Sequence, residues 1–313
     1  MQISILMPAY NEERFIGAAI ESVLAQSFRD YELIILDDGS NDRTLEISQG
    51  YARRDSRIRV ESHPNMGISP TLNRGFALAG TEWVAMLQAD DVMMPNRFER
   101  QFAFLAEHPE LAVAAGWCRH IDSQGRIIGK GKSPFTTHEE VQRVFAANEL
   151  IALNCSAAIF RKSAVQAVGG YRSQFRVNED VDLFARLLEA GYKILIQPEY
   201  LVQYRIHAGS VSVARSRFIR RQARWVKDCM VRRRRGEAEL SWEEFLSMRR
   251  ELPWYVLANA ERKDTAKVLY KAATFQFARR KYHLVLPTVF MAMILQPSYT
   301  ISQIASKFSF RRL

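Results

Sequence analysis

Four short runs rich in apolar residues punctuate the first hundred positions: Ile3–Met7, Glu32–Leu36, Ile58–Glu61 and Trp83–Leu87. Their length and bounding polar clusters predict β-strands. Between them the apolar period changes. Phe15, Ala18, Ala19, Val23 and Leu24 fall on one face at about 3.6-residue spacing. Leu72, Phe76 and Ala79 give a second stripe in a helix begun by Pro70. Alternating β and α elements predict a mostly parallel sheet flanked by helices on both faces. Ligands of such sheets sit at the carboxyl ends of the strands.

Further along, Leu111–Ala115 and Ala157–Phe160 read as strands, with a turn at Asp122-Ser123-Gln124-Gly125 and a loop through Lys130–Pro134. Thr137 and Glu140 have capping-box spacing ahead of Val141, Val144 and Phe145. Gly169-Gly170 breaks the chain before Tyr171. Val181–Ala190 is a helix stopped by Gly191, and Lys193–Ile196 and Leu201–Ile206 read as two strands. From about Phe218 the pattern becomes one of basic helices. Leu284–Leu295 is apolar for twelve residues except Thr288, with Pro287 inside. A membrane-spanning helix needs about 20 apolar residues, so this stretch either packs on the rest of the protein, the commoner fate, or lies in a membrane interface.

Composition sharpens the division. The chain has 313 residues, 48% hydrophobic, enough for a substantial core. Net charge is +10. Residues 201–313 carry 23 Lys and Arg against 8 Asp and Glu, while residues 1–200 carry 21 against 26. The last third is therefore the basic part, a surface for anionic lipid, nucleic acid or acidic substrates. No basic-aromatic stacking surface for nucleic acid is evident. Cys118, Cys155 and Cys229 lack metal-ligand spacing and read as reduced thiols of a cytoplasmic protein. Ile3–Met7 reads as a first strand rather than a signal peptide.

Two aspartate pairs terminate strand-like runs, Asp37-Asp38 and Asp90-Asp91. Adjacent carboxylates at a strand end repel unless a cation or donor offsets them. A divalent metal, a sugar or base donor, or a helix N-terminus would do so. Asn11 reads as a helix N-cap and Asp42 as another. Tyr10, an aromatic at a strand mouth, is placed to stack on a planar ring.

Seven motifs follow in order: Pro8-Ala-Tyr-Asn-Glu, Asp37-Asp-Gly-Ser-x-Asp, Asn65-x-Gly67, Asn73-x-Gly75, x-x-Asp90-Asp91, Asn178-Glu179-Asp180 and Tyr204-Arg205-x-His207. Together they resemble the family 2 glycosyltransferases of the GT-A fold over about residues 1–215. The resemblance implies an inverting transferase using a nucleotide-diphosphate sugar. It assigns donor binding to Pro8, Tyr10, Glu12, Asp37, Asp38, Arg74 and Asp90. It assigns Mn²⁺ or Mg²⁺ to Asp90, Asp91 and His207, with Ser210 and Ser212 as weaker phosphate contacts. Asp180 becomes the general base, with Glu179 as the second choice. Trp117, Asn154 and Arg161 fall in the segment lining the acceptor cleft in relatives.

Two departures matter. Gln88 stands where the family's metal motif has its first carboxylate, and an amide is a poorer ligand for a hard cation. Gln222-Ala223-Arg224-Trp225 is one residue short of the Gln-x-x-Arg-Trp of processive members, which favours single-sugar transfer. The expected organisation is a GT-A domain over 1–217 and a basic, mainly helical region over 218–313. The expected acceptor is a glycan or lipid-linked glycan, met in the cytoplasm or peripherally at the inner membrane face. A sugar-phosphate nucleotidyltransferase fits less well, because the Ala9–Glu13 loop has neither Gly nor Lys. A non-enzymatic membrane scaffold leaves Asp90, Asp91 and Asp180 without a task.

Overall fold

The computed structural model describes residues 2–207, 216–278 and 281–309. Ser210 and Ser212 lie outside them. Strands β1 (Ile3–Ala9), β2 (Tyr31–Asp37), β3 (Ile58–Ser62) and β4 (Trp83–Met86) form the parallel half of a mixed sheet in the order β3-β2-β1-β4. Their near-continuous apolar runs suit strands covered on both faces. Helices α1 (Ile16–Leu24), α2 (Thr44–Ala52) and α3 (Ile68–Leu78) make the crossovers. The α/β architecture expected from the sequence is the one formed.

The sheet continues through β8 (Ile159–Arg161), which runs antiparallel to both β4 and β6 (Leu111–Ile121). β9 (Lys193–Arg205) lies parallel to β6, and β5 (Val92–Met93) pairs antiparallel with β9. β7 (Ile127–Gly131) forms a hairpin with β6 and takes in Lys130 and Gly131, the start of the expected loop. β9 is one strand, not two. Its register against β6 jumps from Gly116↔Gln197 to Trp117↔Tyr200. The bulge absorbs Pro198, which cannot donate a ladder hydrogen bond. Helices α4 (Arg97–Glu107), α5 (His138–Ala146), α6 (Lys162–Ala167) and α7 (Glu179–Glu189) complete this half. The Thr137–Glu140 capping box forms as expected.

Asn73 and Gly75 lie inside α3 rather than in a turn. A Cβ on Gly75 would sit 2.5 Å from the Leu36 side chain and 2.9 Å from that of Leu6, so glycine lets the helix rest on the sheet. The Asn73 amide exchanges two hydrogen bonds with the Tyr171 backbone, at 2.7 and 2.8 Å. These two positions serve packing.

Beyond β9 come α8 (Ser216–Arg234), α9 (Trp242–Arg250), α10 (Trp254–Ala278), α11 (Tyr282–Leu295) and α12 (Pro297–Ser309). The chain divides into two compact units, one of Met1–His207 with Val226–Glu237, the other of Ala208–Trp225 with Ala238–Leu313. The arginine run belongs to the first. Arg233 pairs with Glu189 at 2.8 Å, and Arg234 donates to the Phe145 carbonyl at 2.6 Å. In the second unit Trp242 packs on Phe218, Trp225 and Phe245. α11 buries Ala292, whereas Leu286 and Phe290 are 78% and 64% exposed. Much of the apolar run of this helix is therefore exposed. Among the described residues, no helix is long and apolar enough to cross a membrane.

One buried cation ties the sheet together. Arg97, fully buried at the start of α4, donates to the carbonyls of Met86, Ser156 and Ala158 at 3.2, 2.6 and 3.1 Å. Its Nε donates to Gln101 at 2.8 Å. Burial lowers its pKa to about 9, so it remains charged at neutral pH. The carbonyls belong to the end of β4 and to the 3-10 turn Cys155–Ala157 with the residue after it. Arg97→Met would take the Arg97 donors from the Met86 and Ser156 carbonyls, while the Ala158 carbonyl keeps Met86 N at 3.0 Å. Unsatisfied buried groups cost about 1–3 kcal/mol each. We expect chemical denaturation to show a loss of about 3 kcal/mol or more. Arg100→Met, whose partner Glu199 forms an exposed pair, should stay within about 1 kcal/mol of wild type.

Candidate active site

The carboxyl ends of β1, β2 and β4, the end of β9 and the start of α7 supply the polar residues singled out in the sequence. The loop after β1 carries Tyr10, Asn11 and Glu12. Tyr10 is exposed. Pro8 lies buried inside β1 opposite Leu36. Asn11 is not a helix cap. It adopts a left-handed φ of 56°, and its side chain accepts from Asn41 N at 2.8 Å, linking the first two loops. Asp42 accepts from Glu13 N and Thr44 N, at 3.0 and 2.9 Å. It thus bridges the first loop to the start of α2.

The first aspartate pair is held by backbone and hydroxyl donors. Asp37 accepts from Ser62 Oγ at 2.8 Å and Ser40 N at 3.3 Å. Asp38 accepts from Met66 N and Gly67 N at 2.8 and 3.0 Å, and Asn65 donates to its carbonyl. Gly67, at φ 87°, opens α3. Asp38 therefore meets its charge at a helix N-terminus, where N–H groups lack intrahelical partners. Arg74, on the exposed side of α3, pairs with Glu61 at 3.2 Å.

The second pair divides. Asp90 faces Glu12 and His207, and one ligand atom from each lies within 4.8 Å of the others. His207 Nε2 is 3.3 Å from Asp90 Oδ2, and its ring packs 4.8 Å from that of Phe15. Burial and the Asp90 charge raise the Glu12 carboxyl to about 7, opposed by His207. Asp91 does not join this group. It is fully buried, accepting from Ser156 Oγ on one oxygen and from Arg205 N at 2.7 Å on the other. Burial and Asp90 push its pKa well up. Arg205 also donates to the carbonyls of Asp90 and Asp122, at 2.7 and 3.0 Å. It stacks over Phe15 as well, 4.7 Å from the ring centroid.

A second acidic group opens α7. Asn178, at φ 59°, precedes Glu179 and Asp180. Asp180 Oδ1 accepts from Val181 N at 2.8 Å, and Oδ2 accepts from the Cys155 thiol at 3.2 Å. Burial raises the Asp180 carboxyl, opposed by these donors. Burial and then Asp180 raise Glu179 to about 8. Asp182, one turn into the helix, is buried between Arg172 and Arg186 at 2.5 and 2.9 Å. It anchors the helix rather than facing a ligand.

The acceptor-cleft candidates scatter. Arg161 donates to the carbonyls of Pro109 and Leu111, at the amino end of β6. Trp117 donates to Ser133 O at 3.1 Å and packs against Tyr200.

Residues 4–169 match the model of the family described as Glycosyl transferase family 2. The chain belongs to that family. Relatives within it include the uncharacterized glycosyltransferase MJ1057 of Methanocaldococcus jannaschii, 28% identical over 207 residues. That alignment covers 65% of this chain and 70% of the relative. EpsE of Bacillus subtilis is 33% identical over 201 residues, covering 61% and 68%. Among solved structures, S. aureus TarS residues 1–349 in complex with UDP-GlcNAc superposes with a TM-score of 0.57 at 16% identity. The match covers 96% of this chain and 92% of that one. Family 2 membership and this likeness give the GT-A fold.

The raised Glu12 pKa sets a pH dependence. The folded protein favours protonated Glu12. Its stabilising contribution is therefore full below the ordinary glutamate value of 4.5 and lost as pH rises through about 7. In EDTA, Glu12→Gln should melt above wild type at pH 8 and match it at pH 4. A variant melting no higher at pH 8 would contradict this charge crowding.

Proposed function

We propose that this family 2 glycosyltransferase is inverting and metal-dependent. It moves a single sugar from a nucleotide-diphosphate sugar to a hydroxyl of a glycan or lipid-linked glycan. The observation that carries the reading is the separation of two acidic groups. Glu12, Asp90 and His207 offer converging ligand atoms, while Asp180 and Glu179 share the half-buried start of α7. The neighbour solved with UDP-GlcNAc supports a nucleotide-sugar donor.

Two oxygen donors and an imidazole suit Mn²⁺, and also Mg²⁺ less well. Burial, with the Asp90 carboxylate beside it, pushes Glu12 up, and a bound cation would offset that crowding. Glu12, Asp90 and His207 would hold the ion, with Asp91 fixing the loop beneath them. When bound, the ion offsets charge gathering on the departing diphosphate. Tyr10 stacks on the base, and Asp37 and Asp38 hold the loops that border it.

Asp180 takes the proton. Its carboxylate receives the Val181 N–H and the Cys155 thiol, both favouring the charged form. Glu179, raised to about 8, keeps its proton at neutral pH. Asp180 is thus the more readily ionised member. The acceptor hydroxyl attacks C1 of the sugar as its proton passes to Asp180. The C1–O bond to the diphosphate breaks and the configuration inverts.

We further propose that the helical C-terminal region rests on an anionic membrane surface. Exposed Leu286, Phe290 and Ile294 recur at i, i+4 and i+8 on α11, and residues 201–313 hold the chain's positive charge.

Asp180→Asn should lower sugar transfer about 10²–10⁴-fold while UDP still raises the melting temperature. Transfer at the wild-type rate would contradict its role as base. Leu286→Glu with Phe290→Glu should abolish flotation with phosphatidylglycerol vesicles. Flotation equal to wild type would remove the membrane reading.

A further inference from the structure

A second group of ligating side chains lies away from the candidate active site. His108 follows α4, Glu110 precedes β6 and His138 is the first residue of α5. Glu110 Oε1 is 3.0 Å from His138 Nε2 and 3.7 Å from His108 Nδ1. All three ligand atoms fall within 4.8 Å of one another.

We propose that His108, Glu110 and His138 form a site for Zn²⁺, distinct from the Glu12–Asp90–His207 group. Ligands about 2.0–2.2 Å from a tetrahedral zinc lie roughly 3.3 Å apart. The two distances to Glu110 fall on either side of that value, and the two imidazole ligand atoms lie within 4.8 Å of each other. Two imidazoles and one carboxylate are a zinc-type donor set. Their side chains are 33–36% exposed, which gives an entry path and leaves room for water as the fourth ligand.

The supporting backbone is fixed independently of any ion. The His108 ring packs 4.6 Å from Phe104, and His108 N donates to Phe104 O at 3.1 Å. His138 follows the capping residue Thr137, whose box with Glu140 sets the first turn of α5.

Topology separates this site from the other. β6 is antiparallel to β8, and β8 is antiparallel to β4, so β6 and β4 point the same way. His108 and Glu110 sit at the amino end of β6, whereas Asp90 follows the carboxyl end of β4. An ion here would join the α4–β6 connection to α5. Its expected role is to stabilise the fold, not to take part in transfer.

The test is zinc stoichiometry of the full chain by equilibrium dialysis after chelation, with metal quantified directly. His108→Ala with His138→Ala should bind one zinc fewer than wild type and keep its sugar-transfer rate. Glu12→Gln with Asp90→Asn should retain the zinc that the histidine variant loses. Glu110→Gln, a near-isosteric surface change, serves if the double variant folds poorly, and it should weaken the same zinc at least tenfold. Co²⁺ bound to the Glu12→Gln and Asp90→Asn protein should show visible absorption of four-coordinate type. Equal zinc content in wild type and the His108→Ala, His138→Ala protein would overturn the proposal. It would leave the cluster as surface ion pairs.

Discussion

A buried guanidinium with no carboxylate touching it is an expensive thing to place in a core, and Arg97 is such a group. Its positive charge is met by backbone carbonyls from β4 and from the turn at Ser156 and Ala158. The Ala158 carbonyl also accepts from Met86 N, and buried carbonyls of this kind call for donors. The arrangement fixes the Ser156 turn against the end of β4. Ser156 then bonds Asp91, and Cys155 bonds Asp180. One cation thus sets the spacing of the Asp91 loop and the turn beside Asp180. Neither acidic group would hold its place if that turn moved.

The same geometry explains why the two aspartate pairs behave differently. Asp37 and Asp38 have their charge met by Ser62, Ser40, Met66 and Gly67. They need no ion, and they shape the loops. Asp90 and Asp91 are adjacent in sequence yet point to different partners. Asp91 turns inward to Ser156 and Arg205 N, while Asp90 turns toward Glu12 and His207. Gln88 stands where the family's motif has its first carboxylate. Glu12, from the loop after β1, brings a carboxylate beside Asp90 and His207.

Much of the fold could be read from the chain because β1, β2 and β4 are buried runs and their helices keep a clear period. What could not be read was non-local. Arg97 looks like an ordinary charged residue at a helix start, and nothing near it in sequence names Met86 or Ser156 as its partners. Cys155 and Ser156 sit in an unremarkable Asn-Cys-Ser-Ala segment, and only the return of the chain beside β4 makes them matter. Asn73 and Gly75 were legible as a motif but not as packing, since the Leu6 and Leu36 contacts come from the sheet beneath. Pro198 divided one strand into two in the sequence because the bulge that hosts it depends on β6. α11 is apolar on all sides, so its pattern carried no sign of how much would stay exposed.

The central claim is a division of labour between Glu12, Asp90 and His207 on one side and Asp180 on the other. Calorimetric titration of UDP with and without Mn²⁺ tests it most directly, without a need for the acceptor. Asp90→Asn with His207→Ala should lose the part of UDP affinity that depends on Mn²⁺, while Asp180→Asn binds UDP and Mn²⁺ as wild type does. If Asp180→Asn loses the Mn²⁺-dependent affinity, or if the first variant keeps it, the two acidic groups do not divide donor and acceptor chemistry as described.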